Sequence, residues 1–283
     1  MSAPNVGILH PGAMGVSIAN SAIDSGCNVF WASEGRRSYT RERAERTGLT
    51  ELSTVADLCE KCPVILSVCP PEFAADVAHQ VADTGFQGVF ADLNALAPQR
   101  KIELGRELAA RGIRFADGGI IGLPSRTPGE TTLFVSGEAA DEVAACFAKG
   151  AIAARVMGQE TGRASALKIL FAAYNKGSIA LFTALYAAAD QYGVLEDLQG
   201  QFVHRGLSLA TIETQILRAA PKAWRWIEEM HEISSALEQV DQPGDFHEAA
   251  AKVYERLADF KDASGLSLKD IIERSNLREN AGA

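Results

Sequence analysis

Short apolar, β-branched runs alternate with segments of helical period through the first half of the chain. The runs are Val6–Leu9, Val29–Ala32, Val64–Val68, Val89–Ala91, Ile113–Ala116 and Thr132–Ser136. That alternation predicts an α/β fold, a Rossmann-type doubly wound parallel sheet with helices on both faces, over residues 1–160. From about Thr161 the strand signals vanish. Alanine-rich helical text then runs almost to the end, interrupted at Gly193, Gly206, Pro221 and Pro243-Gly244, and predicts an all-α domain over residues 161–283. Within it Ser165–Asp190 holds no proline and only Gly177, and reads as one helix of about 26 residues, roughly 39 Å at about 1.5 Å per residue. Such a helix is too long for one small domain's core. It is expected to join the domains and to present Leu167, Leu170, Phe171, Leu181 and Leu185 to a second copy, giving a homodimer. Arg278–Ala283 reads as a frayed tail.

The predicted strands end in polar or turn residues: Ser33, Cys69-Pro70-Pro71, Asp92-Leu93-Asn94 and Asp117-Gly118-Gly119. In a doubly wound sheet these ends form the ligand crevice, so the four turns are expected to line one cleft. The first strand runs into Gly7-Ile8-Leu9-His10-Pro11-Gly12-Ala13-Met14-Gly15. Gly12 lets backbone approach a pyrophosphate, Gly15 lets the helix pack on the strand, and bare N–H groups at the helix start face the phosphates. His10 stands where G-x-G-x-x-G has its first glycine.

The second strand ends at Ser33, followed by Glu34-Gly35-Arg36-Arg37-Ser38. A carboxylate at that end accepts the ribose 2′-hydroxyl of NAD and repels a 2′-phosphate, whereas two guanidiniums and two hydroxyls suit a phosphate dianion. The expected cofactor is NADP(H) in preference to NAD(H). It is expected along His10, Pro11, Gly12, Ala13, Met14 and Gly15, against Cys69, Pro70 and Asn94, with its adenosine phosphate toward Ser33, Arg36 and Arg37. The other reading of the two arginines is a solvated charge cluster opening a helix.

The composition is that of an ordinary globular protein. The 283 residues are 47% hydrophobic and 22% charged, with a net charge of −9, and hold no long Lys/Arg run. No nucleic-acid or membrane surface is expected, since either needs a basic patch or an apolar span. The start of the chain reads directly into the first strand without a signal peptide, and the cytoplasm is the expected compartment. Five cysteines are expected to be reduced, and no metal site is expected. Cys59 and Cys62 are either a redox pair or two thiols closing a short helix.

The Gly7–Gly15 turn, Ser67-Val68-Cys69-Pro70-Pro71, Asp92-Leu93-Asn94-Ala95, Asp117-Gly118-Gly119-Ile120-Ile121-Gly122 and Gly162-Arg163-Ala164-Ser165-Ala166-Leu167-Lys168 together resemble the β-hydroxyacid dehydrogenase superfamily. That superfamily includes 3-hydroxyisobutyrate and 6-phosphogluconate dehydrogenases, and the chain looks closest to a poorly characterised branch with its own helical C-terminal domain. The resemblance implies hydride transfer between a nicotinamide and an alcohol or ketone bound between the domains, with Lys168 as the proton relay. Its apolar neighbours Leu167, Ile169, Leu170 and Phe171 suit a partly desolvated cleft. The resemblance also implies substrate contacts at Gly119, Ile120, Ile121 and Gly122.

Three departures bear on the substrate. Ala172 stands where the superfamily has an asparagine four residues after the lysine; Asn175 returns to the same face about 10 Å further along, with Tyr174 and Lys176 beside it. Asn175 either holds a longer substrate or hydrogen-bonds within a subunit interface. Ile121-Gly122-Leu123 replaces the Ser-Gly-Gly turn that grips a carboxylate. His231-Glu232 stands for a Lys-Asp pair, and His231 is either a second titrating group or a surface histidine. Two competing readings follow: an imine reductase, against which Lys168 counts, and a non-catalytic NADPH-binding sensor or assembly protein.

Overall fold

A computed structural model describes residues 3–277; the tail expected at Arg278–Ala283 lies outside the described residues. The chain divides into two compact units, one up to Ile169 and one from Leu170. The division falls inside the long helix rather than before it.

The first unit is one sheet of eight strands among the described residues: β1 (Asn5–Ile8), β2 (Asn28–Ala32), β3 (Thr50–Leu52), β4 (Val64–Ser67), β5 (Val89–Asp92), β6 (Arg114–Gly122), β7 (Thr131–Ser136) and β8 (Ala153–Val156), in the order β3-β2-β1-β4-β5-β6-β7-β8. Its helices are α1 (Ala13–Asp24), α2 (Ser38–Thr47), α3 (Val55–Lys61), α4 (Ala74–Asp83), α5 (Pro98–Ala110) and α6 (Ala140–Ala145). Alternate residues along each central strand feed two cores. Val64, Leu66, Val89 and Ala91 join Ile18, Ala22 and Val143 on one face, whereas Ile65 and Phe90 join Leu58, Val77, Val81 and Leu104 on the other. Covering both faces is what makes these strands apolar throughout.

The structure corrects three expectations. The sheet is not wholly parallel: β7 runs antiparallel to β6, because the eight residues between Gly122 and Thr131 are too short for a crossover helix. Two edge strands, β3 and β8, were not legible as strands. Asp117-Gly118-Gly119 is not a turn lining the cleft; it continues β6, paired with Ser136, Val135 and Phe134 of β7.

The long helix α7 runs Arg163–Gln191, 29 residues, and so extends past both expected ends. The second unit continues with α8 (Leu195–His204), α9 (Leu209–Ala219), α10 (Ala223–Glu238), α11 (Asp245–Arg256) and α12 (Leu268–Asn276). Ser208 caps α9, and Ser267 with Asp270 closes a capping box on α12. Ile212, Ile216 and Ala219 recur at helical spacing and are buried, as are Met230, Ile233, Ala251, Tyr254 and Ile271.

Candidate active site

The turn after β1 is built for close backbone approach. A Cβ on Gly15 would collide with the His10 carbonyl oxygen, so α1 can start this near the strand only with glycine there. At Gly12, the N-cap of α1, a Cβ would meet no described residue within 4 Å beyond its own chain neighbours. No side chain among the described residues caps this helix, and its first turn, Ala13-Met14-Gly15, carries no acid. Open space in front of an uncapped helix N-terminus fits the pyrophosphate of a dinucleotide. Pro11 is buried beneath the turn, Met14 half-buried and Ala13 exposed.

Beyond β2, Ser33 is buried and its carbonyl accepts from the Arg36 amide at 3.1 Å and from Arg41 Nη2 at 3.0 Å. Arg36 Nη2 lies 3.0 Å from His10 Nε2. Burial, then the neighbouring Arg36 guanidinium, push the His10 imidazole down to about 4, so it is neutral near pH 7 and its Nε2 accepts. Burial lowers Arg36 as well. Arg37 is the exposed N-cap of α2, and Glu34 is exposed beside it.

At the ends of β4 and β5 the polar residues hold one another. Asn94 is buried; its amide nitrogen donates to Asp92 Oδ2 at 3.1 Å and Ser67 Oγ at 3.3 Å, and its Oδ1 accepts from the Cys69 backbone at 2.6 Å. Pro70 is exposed on the same turn. The anchor of this network is a lysine with no distinguishing signal in the amino-acid pattern. Lys101 of α5 is fully buried, with Nζ 2.6 Å from Asp92 Oδ1 and 3.4 Å from Asp117 Oδ1.

Two buried carboxylates face one ammonium, and backbone donors offset the remaining charge. Asp117 Oδ2 accepts from the amides of Gly162 and Ser165 at 3.1 and 3.0 Å, at the start of α7, and from Ser136 Oγ at 3.1 Å. A carboxylate of β6 thereby caps the helix that carries Lys168.

Lys168 sits on the second turn of α7, half-buried. A Cβ on Gly119 of β6 would lie 2.7 Å from the Ala164 carbonyl oxygen and 3.0 Å from Lys168 Cβ. Glycine in β6 lets the helix lie this close, and so fixes the lysine stem against the strand. Of the neighbouring candidates, Ile120 turns its side chain into the core, Ile121 is half-buried, and Gly122, at φ 132°, is exposed.

Tyr174, Asn175 and His231 belong to the second unit. Tyr174 and Asn175 are exposed and line a cleft of about 370 Å³ with Ser178, Ser208, Thr211 and Gln215. Lys176 is committed elsewhere, paired with Glu229 and 4.9 Å above the Trp226 ring. His231 Nδ1 lies 2.9 Å from Glu248 on α11, and that pairing lowers the Glu248 carboxyl.

Cys59 and Cys62 are free thiols, and burial raises both, Cys62 to about 12; a reactive pair needs the opposite. Among the described residues no group of three or more His, Cys, Asp or Glu is placed to hold a metal, and no helix is long and apolar enough to cross a membrane.

The family model described as the NAD binding domain of 6-phosphogluconate dehydrogenase matches residues 5–159, and a domain of unknown function, DUF1932, matches residues 189–257. The chain is 30% identical over 174 residues to L-threonate dehydrogenase of Cupriavidus necator, covering 59% of this chain and 58% of that protein. It is 26% identical over 165 residues to an uncharacterised 28.5 kDa protein of Methanothermus fervidus, covering 58% and 63%. The chain thus spans less than two thirds of the length of these curated relatives.

Among solved structures, a conserved protein of unknown function described as similar to 3-hydroxyacid dehydrogenases has a TM-score of 0.72 at 27% identity, covering 90% and 97%. The 3-hydroxyisobutyrate dehydrogenase of Mycobacterium tuberculosis with L-serine has 0.73 at 13%, covering 96% and 98%. A reductive aminase of Aspergillus terreus in complex with NADPH has 0.57 at 16%, covering 96% and 99%. The last two likenesses are of fold alone. With its glycine turn, its eight-stranded sheet and its helical C-terminal unit, the chain belongs to the family of the NAD binding domain of 6-phosphogluconate dehydrogenase, in the β-hydroxyacid dehydrogenase superfamily.

Proposed function

We propose that the chain is an NADP(H)-dependent oxidoreductase acting on an alcohol/ketone pair, with Lys168 as the proton relay. The observation that carries this reading is the packing of Lys168 against Gly119, which seats a lysine stem against β6 two residues past Asp117. When bound, the nicotinamide supplies hydride to carbon or accepts it from carbon. The Gly12 cradle and the α1 N-terminus hold the pyrophosphate, and Arg36 and Arg37, just beyond the end of β2, meet the adenosine phosphate. Lys168 Nζ donates a proton to the oxygen of a carbonyl being reduced, and as the free amine takes the hydroxyl proton in the reverse direction.

Asn175, Tyr174 and His231 are candidates for contacts to the rest of the substrate. Leu170, Tyr174, Leu181 and Leu185 form an exposed stripe of one face of α7, consistent with a homodimer. A turnover panel of hydroxyacids, ketones and cyclic imines with NADPH and NADH tests the reading. Turnover of the C–O substrates with NADPH supports it, turnover confined to imines makes the chain an imine reductase, and tight NADPH binding without turnover makes it a sensor.

A further inference from the structure

The first glycine of the nucleotide-binding signature is missing, and the residue in its place is engaged with an arginine 26 positions away. We propose that His10 is a positioning residue for cofactor discrimination: its ring accepts a hydrogen bond from Arg36 and holds that guanidinium, before the nucleotide arrives, in position for a phosphate on the adenosine ribose. The inference rests on the NADP(H) reading above and assigns the structural element that enforces it.

The chemistry of the pair is one-directional. A guanidinium only donates, so His10 Nε2 accepts at 3.0 Å and the ring proton sits on Nδ1. The His10 backbone is itself fixed: its carbonyl accepts from the Gly12 amide at 2.8 Å and lies against Gly15 at the start of α1. The acceptor therefore belongs to the nucleotide turn, and Arg36 is tied to that turn rather than left to solvent.

Arg36 is not drawn to a carboxylate. The neighbouring arginine, Arg41, takes the Glu51 carboxylate and the Ser33 carbonyl. Among the described residues no carboxylate pairs with Arg36, and Arg37 is exposed, with no such tether to the turn. Arg36 Nε and His10 Nδ1 are both buried with no hydrogen-bond partner among the described residues. Both are N–H donors in this tautomer, so the pair lacks an acceptor, and a bound anion supplies one. Fixing a long arginine side chain in advance removes the ordering cost that binding otherwise carries.

Dissociation constants for NADPH and NADH, measured separately by titration calorimetry at pH 7.5 on the full chain, test this. Arg36→Ala is expected to weaken NADPH about 10- to 100-fold and to leave NADH within about twofold. His10→Gly, which restores the signature glycine and so suits the turn, is expected to weaken NADPH about fivefold or more with NADH unchanged. In the Arg36→Ala background His10→Gly is expected to add nothing, because the arginine it positions is gone. His10→Gln, whose amide oxygen can accept, is expected to recover most of the loss. If His10→Gly binds NADPH like the parent, or weakens both nucleotides equally, while Arg36→Ala discriminates, the positioning role falls and the NADP(H) reading stands. If Arg36→Ala fails to discriminate, the NADP(H) reading falls and this inference with it.

Discussion

Lys101 of α5 reaches through the core to place its Nζ 2.6 Å from both the carboxylate and the main-chain carbonyl oxygen of Asp92 at the end of β5. The same carboxylate orients Asn94, which holds the Cys69 backbone. Asp117, on the other side of the lysine, holds the first turn of α7. One buried cation therefore links the turns of the nucleotide side to the helix that carries Lys168.

Removing that cation leaves two carboxylates facing each other without solvent. Lys101→Met is expected to destabilise the chain by about 3–5 kcal/mol, the usual cost of breaking a buried ion pair from one side. Urea unfolding followed by circular dichroism measures it; a loss below about 1 kcal/mol would show that the network contributes little.

Gly119 and Lys168 are coupled sterically. Gly119→Ala puts a methyl 2.7 Å from the Ala164 carbonyl oxygen, so α7 must shift or β6 must bend. The expected cost is about 1–3 kcal/mol of stability, together with a lower kcat while NADPH affinity is retained, because the cradle at Gly12 is untouched. Unchanged stability and kcat would mean that the helix is not seated on this strand as described.

These two relationships show where sequence reading succeeds and where it stops. Gly12, Gly15 and the central strands were legible because their constraints are local: a turn, and apolar runs buried on two faces. Asp117-Gly118-Gly119 was read as a turn because glycine pairs punctuate chains. Here Gly119 serves close packing on α7 and Asp117 caps that helix, and both needs arise from residues more than 40 positions away. β3 and β8 lie at the sheet edges with exposed residues, so their sequences lack the apolar signature of the centre. Lys101 carries no signal at all, since a lysine in a helix reads as solvated until its buried partners are known. Likewise His10 was legible only as a departure, and its bond to Arg36 depends on how β2 lies beside β1.

His10 gives a pH dependence whose sign is fixed. Burial, and then the Arg36 guanidinium, hold its imidazole down at about 4 against the 6.5 of an ordinary histidine, so between those values the unfolded chain binds the extra proton. The contribution is therefore fully present above pH 6.5 and is lost as pH falls toward 4, by at most about 3 kcal/mol. Thermal melts of the parent and His10→Gly from pH 7.5 to 4 are expected to converge on acidification, as the parent loses stability faster. Parallel curves would mean that His10 is not held neutral by its surroundings.

The apolar stripe of α7 calls for a cover. Leu181 is 45% exposed and Leu170 54%, and light scattering at micromolar concentration is expected to give twice the mass of one chain. Leu181→Lys is expected to shift the population toward single chains. A parent of single-chain mass would contradict the homodimer.

Turnover and NADPH binding measured side by side in Lys168→Ala, on a substrate found with the parent chain, decide whether this lysine relays the proton. Loss of the proposed proton relay is expected to cut kcat by roughly 10²–10⁴-fold with the NADPH dissociation constant nearly unchanged, because in that role the lysine meets the substrate oxygen and not the phosphates. Full turnover in Lys168→Ala would contradict the account and move the proton chemistry to another group, with Tyr174 and His231 next to be replaced.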